Sequence, residues 1–191
     1  MAEKKAVLIV AGKAAVNSGS NIDTLAKKGV FVPYAAGDAV SAAAKVEGVA
    51  KVAASTVAAE LEKGTGLVLV DLGAGDDAAL DAALGPILEA ADRRTLVVVA
   101  GSAKLVFYGQ GIAKGAEIKK TAVAADVLPT ICFVADVFLP AGIEDGAVLY
   151  AALKDPNARL KEIGKLQESI RSMQSAMERD SREPWDKHDC A

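Results

Sequence analysis

The chain has 191 residues and a mass of 19.5 kDa, which suits one domain with an appendage. Its net charge of −3 and pI of about 5.3 give no basic surface for nucleic acid, and 52% hydrophobic residues exclude a disordered chain. Two cysteines cannot form a disulfide framework, and no apolar run has the length of a membrane span or a signal sequence. We therefore expect a cytoplasmic protein without membrane partners.

The first half of the chain predicts strands separated by alanine-rich helices. Residues 6–10 form an apolar run of strand length, and Ser20 is expected to cap a short helix that Gly29 ends. A short strand is expected over residues 30–32. The spaced Val and Leu residues of 39–63 predict one long helix, which Gly64 ends.

The second half continues the alternation. Strands are predicted at 67–70, 95–99 and 104–108, with a helix over 77–91. Another helix is expected to open at Asp126 as the cap, with Pro129 in its first turn. The 39 alanines and 4% aromatic residues favour helices lying close against a Val/Leu sheet.

These elements predict an α/β fold: a three-layer αβα sandwich with a mostly parallel sheet, plus a C-terminal helical tail. Proline and turn-forming residues at 155–157 suggest a boundary, which gives an α/β domain over 1–153 and a charged tail over 154–191. The tail carries eight acidic and eight basic residues.

Two glycine loops follow predicted strands, one at 73–75 and one at 109–111 with Gly115 beyond it. Neither has the spacing of a dinucleotide fingerprint, and neither continues into a P-loop Lys-Ser/Thr pair. Tight turns are the simpler interpretation. No cofactor is predicted.

The acidic residues Asp71, Asp76 and Asp77 follow a strand, where open α/β sheets usually place ligands. A metal or phosphate site there is one interpretation. The other is that Asp76 and Asp77 stabilise the start of the next helix. For Asp71, a ligand role and a structural role both stay open. His188 and Cys190 provide only two metal ligands near the C-terminus, so no metal site is predicted at that end of the chain.

Three ordered stretches within residues 5–153 resemble the alkaline phosphatase superfamily, especially its sulfatase and phosphodiesterase-like branches. The first is the strand at 6–10 followed by the Asn-Ile-Asp-Thr-Leu-Ala run and Gly29. The second is the pair of strands at 67–71 and 95–99. The third and most specific comprises residues 104–115, the Asp-Val-Leu-Pro-Thr segment at 126–130, Leu-Pro at 139–140 and residues 146–153.

The resemblance implies a hydrolase with two metal ions held by aspartates and histidines at strand ends, and an alcohol or modified-cysteine nucleophile. This chain departs from that pattern. Its metal-loop positions read Ala-Gly-Lys at 11–13 and Ala-Gly-Ser-Ala at 100–103, and its single histidine is His188. Ser41, at the nucleophile position, and Asp71 remain as weak candidates only, so no catalytic residue is assigned.

In the tail, Ile163, Leu166, Ile170, Met173 and Met177 repeat with spacings of 3, 4, 3 and 4, the seam pattern of a coiled coil. Two interpretations stay open: a helix that pairs with a second copy, making a homodimer, or one that folds back on its own domain. Trp185 is a further candidate anchor against a partner or the domain.

Three functions are therefore weighed. The leading one is a degenerate, non-catalytic member of the superfamily that acts as a binding or assembly module with an unidentified protein partner. The second is a phosphate or sulfate ester hydrolase with a rebuilt site using Asp71, Asp38, Asp76 and Ser41. The third is a small α/β domain that binds an anion through glycine loops and helix N-termini.

Overall fold

The structure, a computed structural model, describes residues 4–116, 118–143, 145–155 and 157–180. The chain divides after residue 155 into two compact units. Trp185, His188 and Cys190 lie outside the described residues.

The first unit alternates strands and helices along the chain. Its strands are β1 Lys5–Val10, β2 Val30–Ala35, β3 Ala50–Lys51, β4 Leu67–Asp71, β5 Thr95–Ala100, β6 Lys104–Gly109 and β7 Ala122–Val123. Its helices are α1 Ser20–Lys28, α2 Ala39–Ala43, α3 Val57–Glu62, α4 Asp77–Ala90 and α5 Ala124–Ala135, with 3₁₀ turns at Ala54–Thr56 and Tyr150–Ala152.

The strands form one seven-stranded sheet in the order β3-β4-β1-β5-β6-β2-β7. β1 lies in the middle and pairs in parallel with β4 and β5, so that Val7 is opposite Val68 on one side and Val97 on the other. Only β6 runs against its neighbours β5 and β2. The sheet is therefore mostly parallel, as the sequence predicts.

Helices cover both faces of the sheet. On one face α1, α3 and α4 bury side chains such as Leu25, Leu61 and Leu84 with the valines of the central strands. On the other face α5 contacts β1 and β5, and α2 contacts α5 and β4. The predicted three-layer αβα sandwich is confirmed.

The single long helix predicted over 39–63 is wrong. The segment contains α2, a turn, strand β3, a 3₁₀ turn and α3 instead. Gly48 has φ of 73° and Val49 N–H donates to the Val46 carbonyl, so the chain turns there. Pairing of β3 with β4 then outweighs the helix propensity of the alanines.

Two predicted helix starts are displaced. Gly19, not Ser20, is the N-cap residue of α1, and the N–H groups of Asn21 and Ile22 donate to Asp81 of α4. α5 begins two residues before Asp126, which puts Pro129 inside the helix rather than in its first turn. The first turn of α1 is thus stabilised by Asp81, from a distant part of the chain, and that of α5 by Asp126, from inside the helix.

The second unit contains α6, Ala158–Asp180, the predicted tail helix. The large apolar side chains Leu160, Ile163, Leu166, Ile170, Met173 and Met177 are exposed along it. None of the helices in the described part of the chain is long and apolar enough to cross a bilayer.

Candidate functional site

The segment 11–18 closes the carboxyl edge of the central strands, where an α/β sheet usually binds its ligand. Gly12 N–H donates to the Gly73 carbonyl at 2.8 Å and Lys13 N–H to the Gly75 carbonyl at 3.1 Å. On the other side, the Ser102 N–H and hydroxyl both donate to the Ala14 carbonyl, at 2.8 and 3.0 Å. The two loops at which the resemblance places metal ligands are thus joined by hydrogen bonds made mostly by backbone.

Asp77 holds the same segment from the α4 side. Its carboxylate accepts N–H bonds from Val16, Asn17 and Ser18, at 2.8, 3.0 and 3.3 Å. These bonds, first of all that from Asn17, hold the pKa of Asp77 below its usual value. Val16 has φ of 56°, a left-handed conformation that is rare for a β-branched residue. Asp77 therefore braces a strained turn and is not free to bind a ligand.

Asp76 and Asp71 also have local partners. Asp76 is the N-cap of α4 and accepts from Ala79 N–H at 3.0 Å, so it stabilises the start of this helix. Asp71 accepts from Gly73 N–H at 2.9 Å and pairs with Lys51 at 3.0 Å. These two contacts, in that order, lower the pKa of Asp71. Within the described ranges, no three His, Cys, Asp or Glu side chains come together as a metal-binding group.

Asp38 and Ser41 line a cavity of about 320 Å³ together with Lys45 and Asp145. It lies where β2 leads into α2 and β7 into α5. Ser41 N–H donates to the Asp38 carboxylate at 2.9 Å, and hydrogen bonds from the Ser41 side chain and backbone lower the pKa of Asp38. A general base works best with a pKa near the working pH, so Asp38 is poorly suited to activate Ser41.

The structure does not gather the residues of the alternative hydrolase site. Asp38 and Ser41 share the 320 Å³ cavity, but neither Asp71 nor Asp76 lines it. Asp71 is instead at the end of β4, four strands away from β2 in the sheet. In the described part of the chain, Ser41 and the Asp38 carboxylate thus share a cavity without a group of three metal-ligand side chains.

A second cavity, of about 790 Å³, was not anticipated from the sequence. Among its lining residues are Arg93, Lys114 and Lys154, from three separate segments, with Asp92, Tyr108 and Gln110. Nothing in the sequence places these cations together, because they are 21 and 40 residues apart in the chain. The glycine loop at 109–111, which the sequence predicts to be a tight turn, lines this cavity.

The tail positions Ile163, Leu166, Ile170, Met173 and Met177 are all exposed in α6. Their spacing gives one apolar stripe along the helix.

No family model matches the chain, and no curated protein matches it. The resemblance to the alkaline phosphatase superfamily therefore stays a proposal.

Proposed function

We propose that this protein is a non-catalytic, alkaline-phosphatase-like α/β module that assembles through its tail helix. The observation that carries the non-catalytic part is the closure of the carboxyl edge by segment 11–18. A two-metal hydrolase needs that edge open for two ions and the group transferred between them. Here backbone hydrogen bonds occupy it, and Ala11, Gly12 and Lys13 stand where a ligand would be required.

The cytoplasm is the proposed location. Cys132, the free cysteine among the described residues, is buried, and burial raises the pKa of its thiol to about 11. A protonated, buried thiol is the usual state of a structural cysteine in a reducing compartment.

The catalytic question is tested with the full-length protein loaded with Zn²⁺ or Mn²⁺ and assayed on p-nitrophenyl phosphate and p-nitrophenyl sulfate. We expect no turnover above that of the metal alone, and no difference between the wild type and Asp71→Ala. Metal-dependent turnover that Asp71→Ala abolishes would contradict the proposal and support the rebuilt hydrolase site. Turnover that Ser41→Ala abolishes would do the same for the cavity at α2.

The assembly part of the proposal is that α6 pairs with α6 of a second copy. Taking Ile163 and Ile170 as equivalent seam positions, the residues that flank the seam between 163 and 177 are uncharged: Gln167, Ser169, Gln174 and Ala176. The charged residues within this stretch lie on the opposite side of the helix. Two identical helices can therefore approach without like-charge repulsion. Two different chains could instead carry opposite charges at these positions, so uncharged flanks favour pairing with a second copy.

The apolar stripe is short, so its contribution is limited. Each of the five seam side chains contributes about 1.5–3 kcal/mol when buried, before the cost of ordering. Association itself costs several kcal/mol, so an isolated pair of such helices is marginal. We therefore expect a dimer in the micromolar range, with further contacts from elsewhere in the protein.

Sedimentation velocity on the full chain at tens of micromolar tests the pairing. Ile170→Asp is expected to weaken the dimer about a hundredfold, because each copy places a carboxylate in the seam. Ser172→Asp adds the same charge outside the seam and should leave the dimer intact. A monomeric wild type, or equal effects of the two variants, would contradict self-pairing and favour the folded-back helix.

A further inference from the structure

The 790 Å³ cavity lies at the amino edge of β5, the end of the sheet opposite to segment 11–18. It is formed there because β6 runs antiparallel to β5, so that Gly109 at the end of β6 is paired with Leu96 near the start of β5. Its volume is within the range of small-molecule sites in proteins. Neither the metal site that the resemblance implies nor the proposed function uses this end of the sheet.

The charge lining the cavity is opposite in sign to that of the whole chain. The protein has a net charge of −3, yet the described residues that line this space include Arg93, Lys114 and Lys154 and one carboxylate, that of Asp92. Among the residues that the structure describes, no carboxylate lies within salt-bridge distance of these three cations. The described side chains of the lining thus carry two positive charges in excess.

Asp92 makes no salt bridge to these cations among the described residues, and its Oδ1 serves its own turn. It accepts from Thr95 Oγ1 and from Arg94 N–H, each at 2.8 Å. The Thr95 bond and then the Arg94 bond lower the pKa of Asp92. The turn that Asp92 caps is fixed, and the Arg93 side chain next to it stays available for an anion.

The walls of the cavity are held by backbone hydrogen bonds. Gln110 N–H donates to the Thr95 carbonyl at 3.0 Å, and Lys154 N–H to the Gly111 carbonyl at 2.9 Å. Gly109 has φ of 99°, and a Cβ there would collide with the Thr95 carbonyl oxygen. The chain segments that carry Lys114 and Lys154 are joined as well, since Ala113 N–H donates to the Ala152 carbonyl at 2.9 Å. The three cations are therefore mounted on a connected frame.

We propose that this cavity binds a phosphorylated small molecule. The Arg93 guanidinium can make paired hydrogen bonds to phosphate oxygens, and Lys114 and Lys154 supply point charges for a second anionic group. Tyr108 and Gln110 offer a ring and an amide for the uncharged part of the ligand. A ligand with at least two negative charges neutralises the excess that the lining carries.

Pyrophosphate is the probe, titrated calorimetrically into the full-length protein at low ionic strength. We expect one site per chain, and about tenfold weaker binding for each of Arg93→Gln, Lys114→Gln and Lys154→Gln. Lys120→Gln removes the same charge from the same loop outside the cavity and should bind as the wild type does. Because none of the three cations has an ion pair within the described ranges, the variants should keep the wild-type melting temperature.

Three results would overturn the site: no binding by the wild type, equal weakening by Lys120→Gln, or unchanged binding by the triple variant. A parallel arm uses vesicles of phosphatidylcholine containing one tenth phosphatidylinositol phosphate, because a lipid headgroup shares the phosphate chemistry. Binding to these vesicles with no binding of free pyrophosphate would also contradict a small-molecule site. None of these outcomes depends on the oligomeric state or on hydrolase activity.

Discussion

Replacing Asp126 by alanine is expected to lower the free energy of unfolding by about 3 kcal/mol, the sum of two charge-assisted hydrogen bonds at their usual net strength. The buried carboxylate accepts from Val123 N–H at 3.1 Å and from Ala147 N–H at 2.8 Å. It thus joins the start of α5 to a segment 21 residues away. Alanine leaves both N–H groups without this acceptor. Thermal unfolding should show a decrease in Tm of roughly 6–12 °C for a chain of this size.

Asp126→Asn removes the charge but keeps one acceptor, because its amide oxygen can replace one of the two carboxylate oxygens. We expect this variant to lose less free energy of unfolding than Asp126→Ala. Asp145→Ala removes an exposed carboxylate close to the same segment and should change stability little. Pyrophosphate binding should be the same in all folded variants. An Asp126→Ala protein as stable as the wild type would show that the two N–H groups find other partners.

Gly101→Ala should destabilise the carboxyl edge. We expect the free energy of unfolding to fall by about 1–3 kcal/mol, as for an overpacked core position. A Cβ at this position lies 2.6 Å from the Ala14 carbonyl oxygen and 2.6 Å from a Val16 methyl group. The carbonyl belongs to the backbone and cannot swing aside, so segment 11–18 must move. Hydrogen exchange of the amides of 11–18 should accelerate more than exchange in β1.

Gly85→Ala is the matched control. Gly85 lies inside α4, and the nearest atom to an added Cβ is the Asn21 side-chain nitrogen at 3.6 Å, an ordinary contact. This variant should be as stable as the wild type or gain up to about 1 kcal/mol from better helix propensity. Equal destabilisation by both variants, or unchanged exchange in 11–18 with Gly101→Ala, would show that the closure is loosely packed.

The fold could be predicted largely from local patterns. The continuous apolar runs that become β1, β4 and β5 are typical of strands buried on both faces, and the helices between them required a layered α/β sheet. The same local reasoning failed at residues 39–63. There the alanines favour a helix equally at every position, and what interrupts it is the pairing of Ala50 and Lys51 with β4.

The chemistry of the site depended on contacts that no local pattern contains. For Asp77 the sequence offers two roles, a ligand and a helix-start residue. In the structure its carboxylate accepts from Val16, Asn17 and Ser18, which lie about 60 residues earlier. Likewise the sequence predicts Asp126 as a helix cap, but no local pattern contains the hydrogen bond that it accepts from Ala147 N–H. The sequence alone shows neither that backbone hydrogen bonds close the carboxyl edge nor that three distant cations share one cavity.

The central position of β1 determines when this fold can be completed during synthesis. β1 ends at Val10, but its two neighbours are β4, from Leu67, and β5, from Thr95. At 5–20 residues per second, the ribosome needs about 3–12 s to add the roughly 60 residues that separate β1 from β4. Throughout that interval the apolar strand has neither partner, and both arrive only after α1 and β2 have been made. We expect the domain to fold late and in one step, with β1 as the strand most in need of protection by chaperones until residue 100 has emerged.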